Sequence, residues 1–359
     1  MKKAYLLLQN GSLYEGVHRG AEGVAVGEVI FHTSVAGYQD VLTNPIYLGQ
    51  MVCMTYPLIG GYGMTCENGE TDKAWLSGLI VNRLCDTPSN WRSKETVDEY
   101  LVRTGTVAIT NIDTRMLTRC LRDSGTQNGV IYTEDCKLTR DELMNKLSTF
   151  AVKDATKKVL DGAETVHVAG DGPRVAVVSF GAPGAIKGGL ARRGADVTVI
   201  PATQITADEL LSFDAVAYSD GAGDPCENAQ AVEILKEIIA AKKPFFGAGM
   251  GLSLLTLAAG GKLVRLTHGH HGGNYPSVDT KKGRTYMTNQ SHVYTTDAAS
   301  LDDKNVRISH TNLNDKSVEG IELINAPASA VSFVPEGFPG PHDTMYLLDD
   351  FMTKIRGNK

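Results

Sequence analysis

The chain has 359 residues, more than one hydrophobic core usually serves, so two domains are expected. With 42% hydrophobic and 21% charged residues it has the composition of a globular protein, and a formal net charge of -6 without a long Lys/Arg run argues against nucleic acid as a partner. No stretch reaches the about 18 apolar residues of a membrane span, so no membrane association and a cytoplasmic location are expected.

The opening "MKKAYLLLQNGSLYEG" has an apolar run only from Ala4 to Leu8, too short for a secretion signal and followed by a turn, so it reads as a first β-strand. The rest of the first half, residues 1–151, suggests strands broken by loops in a mixed α/β domain. Residues 152–172 are charged and turn-rich and read as a linker. From 173 to 359 the pattern is clearer. Strand-like runs at 174–180, 196–200, 213–219 and 243–247 end in glycine-rich turns, with helix-length segments between them. In "ENAQAVEILKEIIAAKK", Val232, Leu235, Ile238 and Ile239 form one apolar stripe, as a helix covering a sheet requires. Such alternation implies an α/β fold with a mostly parallel, doubly wound sheet whose ligands gather at the carboxyl ends of the strands. Beyond residue 260, shorter and turn-rich strands are expected.

The stretch "KPFFGAGMGLSLL" (243–255) reads as a buried strand, a tight glycine turn and the start of an apolar helix. A dinucleotide fingerprint would need its third glycine where Leu252 stands. A nucleophile elbow fits the pattern better, but its apex, Gly249, has no side chain; the N-H of Met250 would face a developing oxyanion. Ser253, one helical turn on, is a poor substitute for a nucleophile. His268, His270 and His271 could suggest metal, yet adjacent histidines do not easily aim at one ion, and no metal site is expected. The six cysteines, Cys53, Cys66, Cys85, Cys120, Cys136 and Cys226, lack C-x-x-C spacing and read as reduced packing residues. Cys226 could be asked to serve as a relocated nucleophile, but no histidine is placed to activate it. Glu336, in "SFVPEGFPGPHD", would matter chemically only with a histidine beside it.

Across nearly the whole chain, "GVAVGEVIFHTSVAGYQDVLTNPIY", "MTYPLIGGYG", "VAITNIDTRMLTRCLRDSGTQNGVI", "SFGAPG", "SDGAGDP", "GHHGGNYP", "NQSHVY" and "PEGFPGPHD" resemble the small subunit of glutamine-dependent carbamoyl-phosphate synthetase. The resemblance implies an N-terminal α/β domain and a C-terminal class I glutaminase domain. It also implies a large-subunit partner that carries ATP and Mg, so no cofactor is expected in this chain. In the family a Cys-His-Glu triad hydrolyses glutamine, and the ammonia passes to the large subunit. On the family's motif G-I-C-L-G-H-Q, the cysteine falls on Gly249 and the substrate-holding glutamine on Ser253. The catalytic histidine of G-H-P-E-A-S-P-G-P-H-D falls on Val334, whereas Glu336 remains. The serine of D-P-S-Y falls on Ile46, and the asparagine, glycine and phenylalanine of Q-N-H-G-F fall on Ser291, Val293 and Tyr294. Gly221, Gly223 and the backbone of Met250 still match the oxyanion loops.

Nucleophile, base and several substrate contacts therefore depart together from the family pattern. The expectation is a small subunit without glutamine hydrolysis that supports an ammonia-dependent large subunit. The alternative is a regulatory or ligand-binding protein detached from the synthetase. An intact glutaminase using another nucleophile is a third reading, which predicts labelling by a glutamine-derived electrophile.

Overall fold

The computed structural model describes residues 2–65, 69–336 and 340–357; Cys66 and the segment 337–339 of the "PEGFPGPHD" motif lie outside the described residues. The chain forms two compact units, one of residues 1–152 with 267–271 and the other of residues 153–266 with 272–359. Among the described residues no helix is long and apolar enough to cross a membrane.

In the first unit, the irregular pattern resolves into a closed seven-stranded barrel. Its order is Lys3–Leu8, Leu13–Gly20, Val107–Thr110, Gly78–Ile80, Gln50–Met54, Ala25–His32 and Gln127–Thr133, which returns to Lys3–Leu8. Closure leaves no strand edge to pair with another chain. Side chains alternate along each strand, so Ala4, Leu6 and Leu8 join Val29, Phe31, Met51, Cys53, Val107 and Ile109 in one cluster. Ile30, Val52, Met54 and Ala108, on the other face, pack with Tyr38, Val41 and Leu42 of the helix Tyr38–Thr43.

The second unit is built on a sheet of eleven strands. Its centre is parallel: Asp196–Pro201, Arg174–Ala182, Ala215–Gly221, Phe245–Ala248 and Ala328–Val331 lie side by side in that order. Period-two alternation again assigns the faces. Ala176, Val178, Val216, Tyr218 and Phe245 join Leu235 and Ile238 of the helix Ala229–Ala240 in one cluster. Val175, Val177, Ala215, Ala217 and Phe246 join Leu190 and Phe351, on the helices Gly184–Arg192 and Tyr346–Gly357, in the other. Helices thus cover both faces, as the alternating sequence pattern implies.

Two local expectations change. Residues 152–172, read as a linker, contain the helix Ala155–Val159 and the strand Val166–Val168, which pairs antiparallel with Asp196–Pro201 at the sheet edge. Beyond residue 260 the first two strands are long, Leu263–Asp279 with 17 residues and Arg284–Thr296 with 13, whereas Val306–Asn312, Val318–Leu323, Ala328–Val331 and Phe333–Val334 are short as expected. Within Leu263–Asp279, Gly269 at φ 66° and Gly272 at φ 149° take a backbone that residues with a side chain rarely adopt, so the glycines mark irregular points in a long strand rather than its ends.

Candidate functional site

The carboxyl ends of Arg174–Ala182, Ala215–Gly221 and Phe245–Ala248 bring the glycine-rich turns of the second unit together. Each glycine of "FFGAGMG" has its own steric reason. A Cβ on Gly247 would lie 2.8 Å from the carbonyl carbon of Gly251, and one on Gly251 would lie 2.8 Å from the Tyr218 carbonyl oxygen. These two let the strand and the helix Met250–Ala258 approach closely. Gly249, which N-caps that helix, has φ 55° and ψ -110°, a conformation that costs a side-chain-bearing residue on the order of 1 to 3 kcal/mol. Its N-H donates to the Val331 carbonyl at 2.9 Å, which ties the apex to the neighbouring parallel strand.

The space over this apex is filled. Asp220, the residue before the last of the strand Ala215–Gly221, has only 7% of its surface exposed, and its Oδ1 accepts hydrogen bonds from the N-H of Gly221 at 2.8 Å and of Met250 at 3.0 Å. Two of the backbone amides that the resemblance matches to the oxyanion loops, those of Gly221 and Met250, are therefore engaged by a carboxylate from the same chain, and that of Gly223 is not one of its donors. Burial pushes the Asp220 carboxyl from 3.8 up to about 7, and the two amide donors offset only part of that rise. Either protonation state supplies an acceptor oxygen to both amides.

A bulge sets the Asp220 geometry. Phe180 and Gly181 both oppose Gly221, so the ladder slips beside Asp220. A Cβ on Gly221 would meet Phe180 Cβ at 2.3 Å, which explains the glycine. Ser219 Oγ accepts from the Phe180 N-H at 3.0 Å and donates to the Asp220 carbonyl at 2.7 Å. Gly223 packs elsewhere: its Cβ position lies 2.4 Å from Ala155 Cβ, against the helix Ala155–Val159.

Val334, half-buried, pairs with Asn289 in the short strand Phe333–Val334. Glu336 is 5% exposed and faces two guanidinium groups: Oε2 accepts from Arg192 Nη2 at 2.8 Å and from Arg193 Nη1 at 3.2 Å. Arg193 is itself held by Asp349 at 2.6 Å and by the Gly189 and Met345 carbonyls. Glu336 is thus paired with cations where the resemblance implies that it would orient a histidine.

The other positions are dispersed. Ser253 is buried in the helix that follows the elbow. Ser291 Oγ donates to the Gln290 carbonyl at 2.8 Å. Val293 and Tyr294 lie further along the strand Arg284–Thr296, and the Tyr294 hydroxyl, beside Asp224, is pushed up to about 12 mainly by burial. Cys226 is exposed, but partial burial and then Asp224 raise its thiol pKa, the reverse of what nucleophilic activation needs. Ile46, in the first unit, is partly buried on the short helix Pro45–Tyr47 and packs against the Tyr38 cluster. His268, His270 and His271 lie on the strand Leu263–Asp279, where successive side chains take opposite faces, and no metal-binding group of three His, Cys, Asp or Glu occurs among the described residues.

Residues 6–131 match the family described as carbamoyl-phosphate synthase small chain, CPSase domain, and residues 178–354 match glutamine amidotransferase class-I. The carbamoyl phosphate synthase small chain of Xylella fastidiosa strain Temecula1 is 40% identical over 371 residues, covering 98% of this chain and 98% of that protein. The small chain of Fusobacterium nucleatum subsp. nucleatum is 39% identical over 360 residues, 100% of this chain and 99% of that protein. The small chain of Clostridium perfringens is also 39% identical, over 98% and 99%. This chain belongs to the carbamoyl phosphate synthase small chain family. Within this small chain the amidotransferase match spans Asp220, Gly249, Val334 and Glu336, whereas Ile46 falls in the CPSase-domain match.

Sequence reasoning missed Asp220, Arg192 and Arg193. An acid closing the apolar run "FDAVAYSD" was the available signal for Asp220, since a carboxylate on a buried strand needs a stated partner. The pair "ARRG" at a helix end carried no comparable signal.

Proposed function

We propose that this chain is a carbamoyl phosphate synthase small subunit that has lost glutamine hydrolysis and supports a large subunit using free ammonia. The large subunit holds ATP and Mg and makes carbamoyl phosphate for pyrimidine or arginine synthesis. The observation that carries this reading is the elbow itself: it keeps the backbone of a nucleophile turn, but its apex is Gly249 and Asp220 occupies the amides of Gly221 and Met250. Amide hydrolysis at such a turn needs a thiolate, a base to activate it and free oxyanion donors. Gly249 and Val334 supply neither nucleophile nor base, and loss of either alone costs several orders of magnitude in rate. The full-length match to small chains, barrel unit included, favours continued assembly with a large subunit over a detached regulatory role.

Reconstitution with the large subunit of the same organism tests this reading. Carbamoyl phosphate is expected from ammonium chloride and not from glutamine; equal rates from both donors would overturn it. Failure of the two chains to co-purify would favour the detached role. Gly249→Cys with Val334→His is expected to leave glutamine hydrolysis far below that of an intact small chain, because Ile46, Ser253, Ser291 and Val293 still depart from the family's substrate-holding residues.

A further inference from the structure

We propose that the Asp220 carboxylate is a built-in occupant of the elbow and the residue that decides what this pocket admits: while it is in place, neither a side chain at 249 nor a substrate oxyanion can enter. The proposal deepens the reading of this turn as a former glutaminase elbow and rests on it.

Three observations converge on one volume. First, a single oxygen of Asp220 accepts from both the Gly221 and the Met250 amides, the two-donor arrangement that would hold a tetrahedral oxyanion. Second, a Cβ built on Gly249 would fall 2.1 Å from both Cγ and Oδ1 of Asp220 and 2.6 Å from Oδ2. No carbon and carboxylate can share that space, so a nucleophile at 249 and the observed Asp220 conformation exclude each other. Third, Asp220 has little room to move aside. It is nearly fully buried, its strand is pinned by the Ser219 hydroxyl, and the bulge opposite Gly221 directs it.

An empty elbow would have offered two amides to any small anion. This one is closed from within. Glycine at 249 and aspartate at 220 are therefore a matched pair, and restoring a thiol at 249 requires a change at 220 as well.

The test uses the full-length chain. Gly249→Cys and the double variant Gly249→Cys/Asp220→Ala are treated with iodoacetamide, and alkylation of the peptide carrying residue 249 is followed by mass spectrometry. The thiol in the double variant, at a helix N-terminus with its amides uncovered, is expected to react at least about tenfold faster. Equal rates in the two backgrounds would overturn the proposal. Should Gly249→Cys fail to fold, a second measurement stands alone. Asp220→Ala is melted with and without acetate, chloride serving as the ionic-strength control. Acetate is expected to raise the melting temperature of Asp220→Ala and to leave the parent chain unchanged; no acetate effect on the variant would overturn the proposal. Glutamine-dependent synthesis by the parent chain would defeat the functional reading whatever the alkylation rates. Equal alkylation without glutamine turnover would defeat this inference alone.

Discussion

The elbow and the segment 333–336 can be compared directly, since each holds a buried carboxylate where the resemblance implies catalytic machinery. They satisfy it differently. Asp220 is met by two backbone amides and, among the described residues, by no ion-pairing cation, so burial dominates and its carboxyl is pushed up to about 7. Glu336 is met by Arg192 and Arg193, so charge is matched by charge. Amides on a strand end and a helix start come with the fold, whereas the guanidinium pair depends on two long side chains of the helix end.

The largest effect is expected from breaking the cation side. Arg193 is 13% exposed, and Arg193→Ala would leave Glu336 and Asp349 without their shared partner; a loss of about 3 to 5 kcal/mol is expected for a broken buried pair, read by chemical denaturation. A loss below about 1 kcal/mol would mean that Arg192 alone neutralises Glu336.

Next comes the elbow backbone. Gly249→Ala places a Cβ against Asp220 in a left-handed conformation, and the backbone term alone is expected to cost about 1 to 3 kcal/mol. An unchanged denaturation midpoint would show that Asp220 moves aside freely, which would weaken the occupant proposal too.

The pH dependence sharpens the contrast further. Because the folded state raises the Asp220 carboxyl from 3.8 to about 7, the folded chain binds its proton more tightly over that window. The Asp220 contribution to stability is therefore greatest at low pH, falls as pH rises from about 4 to about 7, and is level above. Asp220→Asn keeps an acceptor for both amides and carries no titrating proton. The difference in stability between this variant and the parent should grow through that window in the variant's favour. A pH-independent difference would indicate that the carboxyl is not raised.

The smallest effect is expected at Arg192. Its side chain is 61% exposed, so Arg192→Ala should cost only about 0 to 1 kcal/mol despite its 2.8 Å contact, and that cost should shrink with added salt. A cost equal to that of Arg193→Ala would erase the distinction between the buried and the exposed partner.

Much of this protein was legible from residue pattern alone. The short apolar runs ending in glycine turns and the amphipathic stripe at Val232, Leu235 and Ile238 announced the doubly wound sheet, because strands buried on both faces read as near-continuous apolar runs and a covering helix keeps its own period. The empty apex at Gly249 and the apolar Val334 were equally plain, since a missing functional group needs no coordinates. Long-range pairing was not legible. Barrel closure joins Lys3–Leu8 to Gln127–Thr133, and "VKDATKKVLDGAETVHVAGDGP" hides an edge strand, because hydrogen-bond partners distant in sequence leave no local period. The occupant of the elbow belongs to this second class. Asp220 and Met250 are thirty residues apart, and only the bulge opposite Gly221 brings the carboxylate onto that amide. The sequence by itself determined that the apex carries no nucleophile; the tertiary structure decided that its place is taken, because which group fills a volume depends on chain crossings that residue identity does not encode.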